Sequence, residues 1–215
     1  MSEFSAQRRS HPPNPKVSQA IGFLSEIIGG HILGVVADVG CGKLRHYRIL
    51  LNAAKILLLV DTERQMAAIH HDGKSSYTIP EVARSARKRG RSVYALTIQQ
   101  FRGGRQLVDV ALCAAVFDVI VRDKRQEIIR SVSERLKPSG YFVVIIPRND
   151  STITRRFFEE NKYKDGHVFS HHGLQTFFCN FERYTTVIAD CEDVGLELLR
   201  DLSSYRQVCL IFRKE

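Results

Sequence analysis

The chain has 215 residues, of which 44% are hydrophobic and 26% are charged, and its formal net charge is +9. This composition is close to the globular average, so most of the chain should fold. No apolar run approaches the roughly 20 residues that a membrane helix needs, and the N-terminal segment lacks the apolar core of a signal peptide. The scattered cysteines form no CxxC pair, which argues against a disulfide framework or a zinc site and favours a cytoplasmic protein.

The first part of the chain has the pattern of helices alternating with buried strands. Residues 1–16 contain three prolines and mostly polar side chains, and we expect a flexible arm there. From Val17 the apolar residues recur at helical spacing until Gly29 and Gly30. Five apolar segments, typical of strands buried on both faces of a parallel sheet, follow at 32–40, 55–61, 92–98, 108–116 and 141–147.

The segments between these strands favour helices at 44–54, 80–90 and 125–137, the last one stopped by a Pro-Ser-Gly sequence. The end of the chain, 196–215, is typical of a hairpin around Ser203 and Ser204. The pattern predicts an α/β fold: a doubly wound, mostly parallel seven-stranded sheet with helices on both faces and an antiparallel C-terminal hairpin. We expect a single domain over residues 17–215, in which the aromatic and histidine-rich segment 148–186 is a substrate-side insert.

The turn after the first strand, "VVADVGCGKLRHY", is similar to a nucleotide-binding loop but differs in one position. Gly40 and Gly42 are followed by Arg45 where a dinucleotide fold has its third glycine, and the chain has no Walker loop. Both NAD and ATP are therefore disfavoured. Asp38 in this turn would repel a phosphate but suits a ligand with an ammonium and a sulfonium, and Asp61 at the end of the next strand suits ribose hydroxyls.

Four ordered segments resemble the class I S-adenosylmethionine-dependent methyltransferases. "VVADVGCGKLRH" is similar to their first motif, "LLLVDTE" to the second, "VDVALCAAVFDVI" to the fourth-strand motif, and "IIRSVSERLKPSGYFVVIIPR" to their helix, turn and fifth strand. The resemblance covers about residues 30–148 and extends to the terminal hairpin. It implies a methyltransferase that uses S-adenosylmethionine. The cofactor-binding residues that it implies are Asp38, Gly40, Cys41, Gly42, Asp61, Thr62, Ile98, Gln99 and Cys113.

By this resemblance Asp38 orients the amino-acid end of the cofactor, the two glycines let the chain pass beneath it, and Asp61 holds the ribose. The segment "TIQQF" would lie along the adenine. Where the family often has an acid for the adenine amino group, this chain has Ile98, Gln99 and Gln100, and a glutamine carbonyl could accept that hydrogen bond.

The acceptor of the methyl group is less well defined. The fourth-strand segment "LCAAVFD" lacks the Asn/Asp-Pro-Pro-aromatic loop of amino-methyltransferases that act on bases. Cys113 has no neighbouring cation to activate its thiol, so a small buried residue is the favoured interpretation. His167 and His171 are the candidate general bases, and with His172 they form a cluster without a carboxylate at ligand spacing, so we predict no metal site. His46 could reach the active site or stabilise the start of a helix.

A small-molecule acceptor is slightly preferred, and two alternatives stay open. One is an RNA or DNA methyltransferase that uses the basic segment 84–91, because such a cluster can neutralise phosphates. Cations are also favourable at a helix C-terminus, and the sequence indicates no aromatic partner for base stacking near this cluster. The other alternative is a non-catalytic subunit that binds S-adenosylmethionine. The sequence predicts no membrane segment and leaves the oligomeric state open.

Overall fold

The computed structural model describes residues 14–30, 32–71, 75–147, 162–171, 174–179, 184–205 and 207–215. Its strands are β1 (Leu33–Val39), β2 (Ala54–Asp61), β3 (His70–His71), β4 (Ser76–Tyr77), β5 (Ser92–Thr97), β6 (Val108–Ala114), β7 (Leu136–Pro147), β8 (Lys162–Tyr163), β9 (Gly166–His171), β10 (Leu174–Phe178), β11 (Leu196–Asp201) and β12 (Gln207–Lys214). The helices are α1 (Pro15–Ile28), α2 (Tyr47–Ala53), α3 (Glu63–Ala67), α4 (Ile79–Lys88), α5 (Ile98–Gly103), α6 (Arg122–Arg135) and α7 (Thr185–Glu192).

The main sheet has seven strands in the order β11-β12-β7-β6-β1-β2-β5. The pairs from β7 to β5 are parallel, whereas β12 is antiparallel to both β7 and β11. The chain first moves outward from β1 through β2 to β5 and then returns to β6 on the other side. The point between β1 and β6 is therefore a topological switch point, where ligands bind in open α/β sheets. The predicted seven-stranded sheet with its C-terminal hairpin is confirmed.

Helices cover both faces of the sheet and form two apolar layers. On one face α1, α2 and α4 pack on the strands, with Leu24, Leu50 and Ala83 buried against residues such as Val36. On the other face α5, α6 and α7 supply a second layer of buried apolar side chains, among them Phe101, Ile129 and Val187. The nearly continuous burial of β1, β2 and β6 follows from this double cover.

Several element boundaries differ from the predicted ones for local reasons. The helix predicted at 44–54 begins only at Tyr47, because Leu44 has a φ of 57° and belongs to a turn. The helix predicted at 125–137 spans Arg122–Arg135, and the Pro-Ser-Gly sequence after it lies within β7. The first helix begins at Pro15, with the Asn14 side chain accepting the Lys16 N–H, and it ends at Gly29 as predicted. Residues 1–13 of the expected arm lie outside the described residues.

The insert contains a second, antiparallel sheet in the order β10-β9-β8, and β10 lies against the 3-10 turn Phe117–Val119 that follows β6. Because this turn is at the carboxyl end of β6, the insert lies at the carboxyl edge of the main sheet. The five cysteines are all buried, and none of them forms a disulfide. Among the described residues no helix is both long and apolar enough to cross a bilayer.

Candidate functional site

The turn after β1 is tied to the end of β2 by three backbone donors. The amides of Gly40 and Cys41 donate to the carbonyl of Val60 at 2.8 and 3.2 Å. The Gly42 amide donates to Oδ2 of Asp61 at 2.7 Å. These bonds fix the turn across two neighbouring strand ends and bring the two acids predicted for the site into one place.

The structure requires a glycine at positions 40 and 42 for different reasons. Gly40 has a φ of 78°, and a Cβ placed there would overlap the Val116 side chain in the loop after β6. Gly40 therefore permits close packing of two loops. Gly42 has a φ of 48°, and the nearest atom to a Cβ there would be the Gly40 carbonyl at 3.8 Å. The space above Gly42 is open, which suits a ligand that passes over the backbone.

Asp38 is a buried carboxylate with an unused hydrogen-bonding atom. The residue is only 1% exposed, and within the described part of the chain its Oδ2 has no hydrogen-bond partner. Burial, and then the charge of Asp61, raise the pKa of Asp38 to about 7. A buried acceptor without a donor is unfavourable, so this atom is ready for a cationic donor from a ligand.

Asp61 is held by backbone donors on both of its oxygens. Oδ2 accepts the Gly42 amide and Oδ1 accepts the Thr62 amide at 2.8 Å. Burial is the largest influence on Asp61 and raises its pKa, while these two hydrogen bonds oppose the rise. Each carboxylate oxygen keeps a further lone pair, so the group can also accept hydroxyl protons. Thr62 itself caps α3 through the Gln65 amide at 3.3 Å.

The residues expected to lie along an adenine ring form the start of α5. Thr97 caps this helix, and Oε1 of Gln100 accepts the Thr97 amide at 2.8 Å in return. One lone pair of the Gln100 carbonyl oxygen is therefore used by the start of its own helix. Gln99 is exposed next to it, and Ile98 is half-buried against the apolar layer of α5. Of the two glutamines, Gln99 is the one whose side chain is not bound to the start of α5.

The two cysteines of the predicted site are both buried. Cys41 is 6% exposed and Cys113 is 1% exposed, and burial raises the pKa of each thiol well above its ordinary value. Cys113 packs in the apolar layer with Phe117 and Val144. A thiol with this surrounding is a poor nucleophile, which agrees with its interpretation as a small buried residue.

The loop after β6 contains a site feature that sequence reasoning missed. Ala115 has a φ of 57°, an uncommon conformation for a residue with a side chain. Its amide donates to the carbonyl of Ile145 at 2.8 Å, which holds the loop against β7. The conformation brings Val116 over Gly40. Because alanine has no preference for a positive φ, the sequence gives no indication of this conformation, which is visible only in the structure.

A polar clamp attaches the insert to the start of α6. The buried guanidinium of Arg125 pairs with Asp165 in the turn between β8 and β9 and donates to the Ile120 carbonyl at 2.8 Å. Asp165 also accepts the Arg122 amide at 3.2 Å. At the other end of the insert, the Cys179 amide donates to the Asp118 carbonyl at 2.7 Å. Both ends of the small sheet are therefore fixed next to the loop that follows β6.

The candidate bases both lie on β9 of this small sheet. His167 is half-buried and pairs with Phe178 of β10, and His171 pairs with Leu174. The two positions are four residues apart on β9, which corresponds to about 13 Å along the strand. His172 lies outside the described residues.

Two predictions are left to compare with the structure, namely the role of His46 and the absence of a metal site. His46 precedes α2 but makes no capping hydrogen bond, and burial followed by the charge of Arg45 lowers its pKa to about 4. It is therefore a neutral buried imidazole. In the part of the chain that the structure describes, no group of three or more His, Cys, Asp or Glu side chains is arranged to hold a metal ion.

The strand order, the glycine turn and the acid after β2 together define the fold class, and solved structures agree. A methyltransferase dependent on S-adenosylmethionine from Clostridium acetobutylicum ATCC 824 has a TM-score of 0.65 and 13% identity over 93% of this chain and 91% of its own. The 1,6-didemethyltoxoflavin-N1-methyltransferase of Burkholderia thailandensis, with bound 1,6-didemethyltoxoflavin and S-adenosylhomocysteine, has a TM-score of 0.61 and 16% identity over 93% and 78%.

A third similar structure is the magnesium protoporphyrin IX methyltransferase of Synechocystis PCC 6803 with bound S-adenosylhomocysteine, at a TM-score of 0.62 and 13% identity over 94% of this chain and 82% of that one. No protein-family model and no curated protein sequence matches the chain. The strand order and the similarity to these three solved structures show that the chain has the fold of the class I S-adenosylmethionine-dependent methyltransferases.

Proposed function

We propose that the protein is a methyltransferase that uses S-adenosylmethionine and that transfers the methyl group directly to a small-molecule acceptor. The observation that carries this proposal is the buried Asp38 carboxylate, whose Oδ2 lacks a donor at the switch point of this fold. A ligand with an ammonium group would supply that donor and remove the unfavourable buried acceptor. Two similar structures contain S-adenosylhomocysteine, which is what S-adenosylmethionine becomes when it loses its methyl group.

The residues at the carboxyl edge of the sheet would share the recognition of the cofactor. Asp38 binds the ammonium, the lone pairs left on Asp61 accept the ribose hydroxyls, and Gln99 accepts from the adenine amino group. The open backbone at Gly42 leaves room for the chain of the ligand. When bound, S-adenosylmethionine supplies a methyl group on a sulfonium that is open to direct displacement. The protein then has to position the acceptor and exclude water.

The insert is the proposed acceptor-binding element. Its small sheet lies against the turn after β6 and is clamped there by the Arg125–Asp165 ion pair. The 1,6-didemethyltoxoflavin bound to a protein of the same fold supports the choice of a small molecule. For an acceptor that must lose a proton, we assign His167 or His171 as the general base, since an imidazole titrates near neutral pH. The approximately 13 Å between their positions on β9 means that only one of them takes this role.

Calorimetry with S-adenosylhomocysteine tests the cofactor part of the proposal. We expect binding by the wild-type protein and a loss of at least tenfold in affinity for Asp61→Ala, because the ribose hydroxyls lose their acceptor. The matched control is Asp193→Ala, which removes an exposed acid at the end of α7. Circular dichroism checks that each variant is folded. If the folded wild-type protein fails to bind, the proposal is wrong.

Transfer of a labelled methyl group into fractionated cell extract tests the acceptor. We expect label in the small-molecule fraction, and a strong reduction in His167→Ala or in His171→Ala but not in both. Label that appears only in RNA or DNA would replace the small-molecule acceptor with a nucleic acid. Cofactor binding without any transfer would instead favour a non-catalytic subunit.

A further inference from the structure

The amino edge of the main sheet, opposite the proposed active site, has a concentration of exposed cations. Arg91 precedes β5 and Lys55 lies near the start of β2, and the pairing of Ile56 with Ser92 makes them neighbours. The carboxyl half of α4 adds more basic side chains beside them. We define the amino-edge basic surface as Lys55, Arg84, Arg87, Lys88, Arg89 and Arg91, all of which are exposed.

No salt bridge within the described residues neutralises the positive charge of this surface. Within the described residues none of its six side chains forms an ion pair with a carboxylate. Their hydrogen bonds go instead to backbone carbonyls and a hydroxyl: Arg87 donates to the Val93 carbonyl at 2.6 Å, Arg89 to Ser85, and Arg91 to the Leu51 carbonyl. A helix C-terminus favours cations, but this accounts only for those on α4 and not for Lys55 and Arg91.

A shallow cavity and an exposed aromatic ring complete the surface. The cavity has a volume of about 570 Å³ and is lined by Lys55 and Arg91 together with the polar side chains of Asn52 and Ser92. Tyr94, on the edge strand β5, is 43% exposed, and the Arg87 guanidinium lies 5.4 Å from the centre of its ring. The sequence-based expectation that no aromatic residue lies near the basic cluster is therefore wrong.

We propose that the amino-edge basic surface binds single-stranded nucleic acid. Unpaired arginines and lysines along a groove neutralise the phosphates, and a tyrosine with an arginine on its ring is a platform on which a base can stack. Lys55 lies six residues before Asp61 on β2, so the surface is about 20 Å from the strand end that holds the glycine turn. The nucleic acid is held away from the methyl donor, and its binding does not depend on the cofactor.

The test is fluorescence anisotropy with a labelled 20-nucleotide poly(U), measured from 50 to 300 mM salt. We expect Lys55→Gln/Arg84→Gln/Lys88→Gln to reduce the affinity at least tenfold at low salt and to flatten the salt dependence, by about 0.7 in the log–log slope for each phosphate that is no longer neutralised. None of these three side chains makes a hydrogen bond within the described residues, so the variant should fold normally. Urea unfolding verifies this.

The matched control is Arg102→Gln/Arg105→Gln/Arg130→Gln, which removes the same charge from exposed positions on α5, the loop after it and α6. We expect this control to change the affinity for poly(U) by less than threefold. Tyr94→Leu should weaken the binding of poly(U) and leave that of a DNA duplex unchanged, because a duplex has no free bases to stack. Equal losses in the two triple variants would overturn the proposal, since they would show attraction by net charge alone.

An anionic membrane is the competing partner for this surface. Ile32 lines the cavity and is 64% exposed, so an apolar side chain lies beside the cations, as a lipid surface would require. Vesicles of phosphatidylserine and phosphatidylcholine in equal parts provide this arm of the experiment. Binding to the vesicles without binding to poly(U) would overturn the proposal. Binding to poly(U) by protein that fails to bind S-adenosylhomocysteine would support this surface while rejecting the proposed methyltransferase function.

Discussion

The two edges of the main sheet show opposite chemistry on the same strands. At the carboxyl edge, Asp38 and Asp61 are buried acids, and Asp61 is fixed by backbone amides. On the amino-edge basic surface the charges are basic and exposed, and within the described residues none of them forms an ion pair with a carboxylate. Burial and fixed donors suit the proposed site, which would hold one small ligand in one orientation. Exposed cations suit the proposed binding of a polymer, in which each group would contribute a little.

The largest expected effect is that of Gly40→Ala at the carboxyl edge. An alanine at this position would have to adopt an unfavourable φ of 78°. Its Cβ would also overlap the Val116 side chain. We expect the free energy of unfolding to fall by about 3 kcal/mol, from strain at positive φ together with overpacking. Urea unfolding measures this loss, and calorimetry should show at least a tenfold loss of affinity for S-adenosylhomocysteine.

Gly90→Ala at the amino edge is the matched control, because Gly90 has a φ of 76° but no atom within 4 Å of the position that a Cβ would take. It should lose only about 1 kcal/mol, from backbone strain alone. The double variant Gly40→Ala/Val116→Ala should recover part of the lost stability. Equal losses at the two glycines would show that the packing of Val116 on Gly40 has no energetic importance.

The next largest effect is a pH dependence of stability and of ligand affinity that is caused by the ionisation of Asp38. Because the folded-state pKa is raised from 3.8 to about 7, Asp38 stabilises the ligand-free protein below about pH 4, and this contribution is lost as the pH rises to 7. Affinity for S-adenosylhomocysteine should have the opposite trend, since its ammonium prefers the ionised carboxylate. We expect a gain of about tenfold from pH 6 to pH 8. Calorimetry at several pH values measures it.

Asp38→Asn serves as the control for this pH dependence. The asparagine cannot ionise, so the variant should bind weakly and with nearly constant affinity over the same pH range. Urea unfolding of the ligand-free variant should likewise lose the decline in stability between pH 4 and pH 7. A wild-type affinity that is independent of pH would contradict the raised pKa of Asp38.

The fold, and the placement of Asp38 and Asp61 at neighbouring strand ends, could be predicted because they depend on local patterns. Apolar segments alternating with helices indicate a doubly wound sheet, and Asp61 is identified by its position at a strand end. The helix α7 was missed because "TTVIADCE" has β-branched residues that do not favour a helix. Burial of Val187 and Cys191 on one side of α7 stabilises it through tertiary packing.

Features that depend on distant contacts could not be predicted from the sequence. The pairing of Arg125 with Asp165 joins residues far apart in the chain, and the positive φ of Ala115 follows from the position of β6 beside β7. The contact between Arg87 and Tyr94 depends on how α4 lies against β5. Nothing in the residue types at these positions indicates the partner, because each contact is created by the topology.

The smallest expected effect is that of Lys55→Gln/Arg84→Gln/Lys88→Gln on stability. These side chains are exposed and unpaired with acids within the described residues, so their removal should change the free energy of unfolding by less than about 0.5 kcal/mol. At low salt the change should be a slight gain, because mutual repulsion on a chain of charge +9 is reduced, and it should disappear at high salt. Urea unfolding at 20 and 300 mM salt measures both values. A loss above about 1 kcal/mol would mean that these cations hold the amino edge together, and the contrast with the acids of the carboxyl edge would then fail.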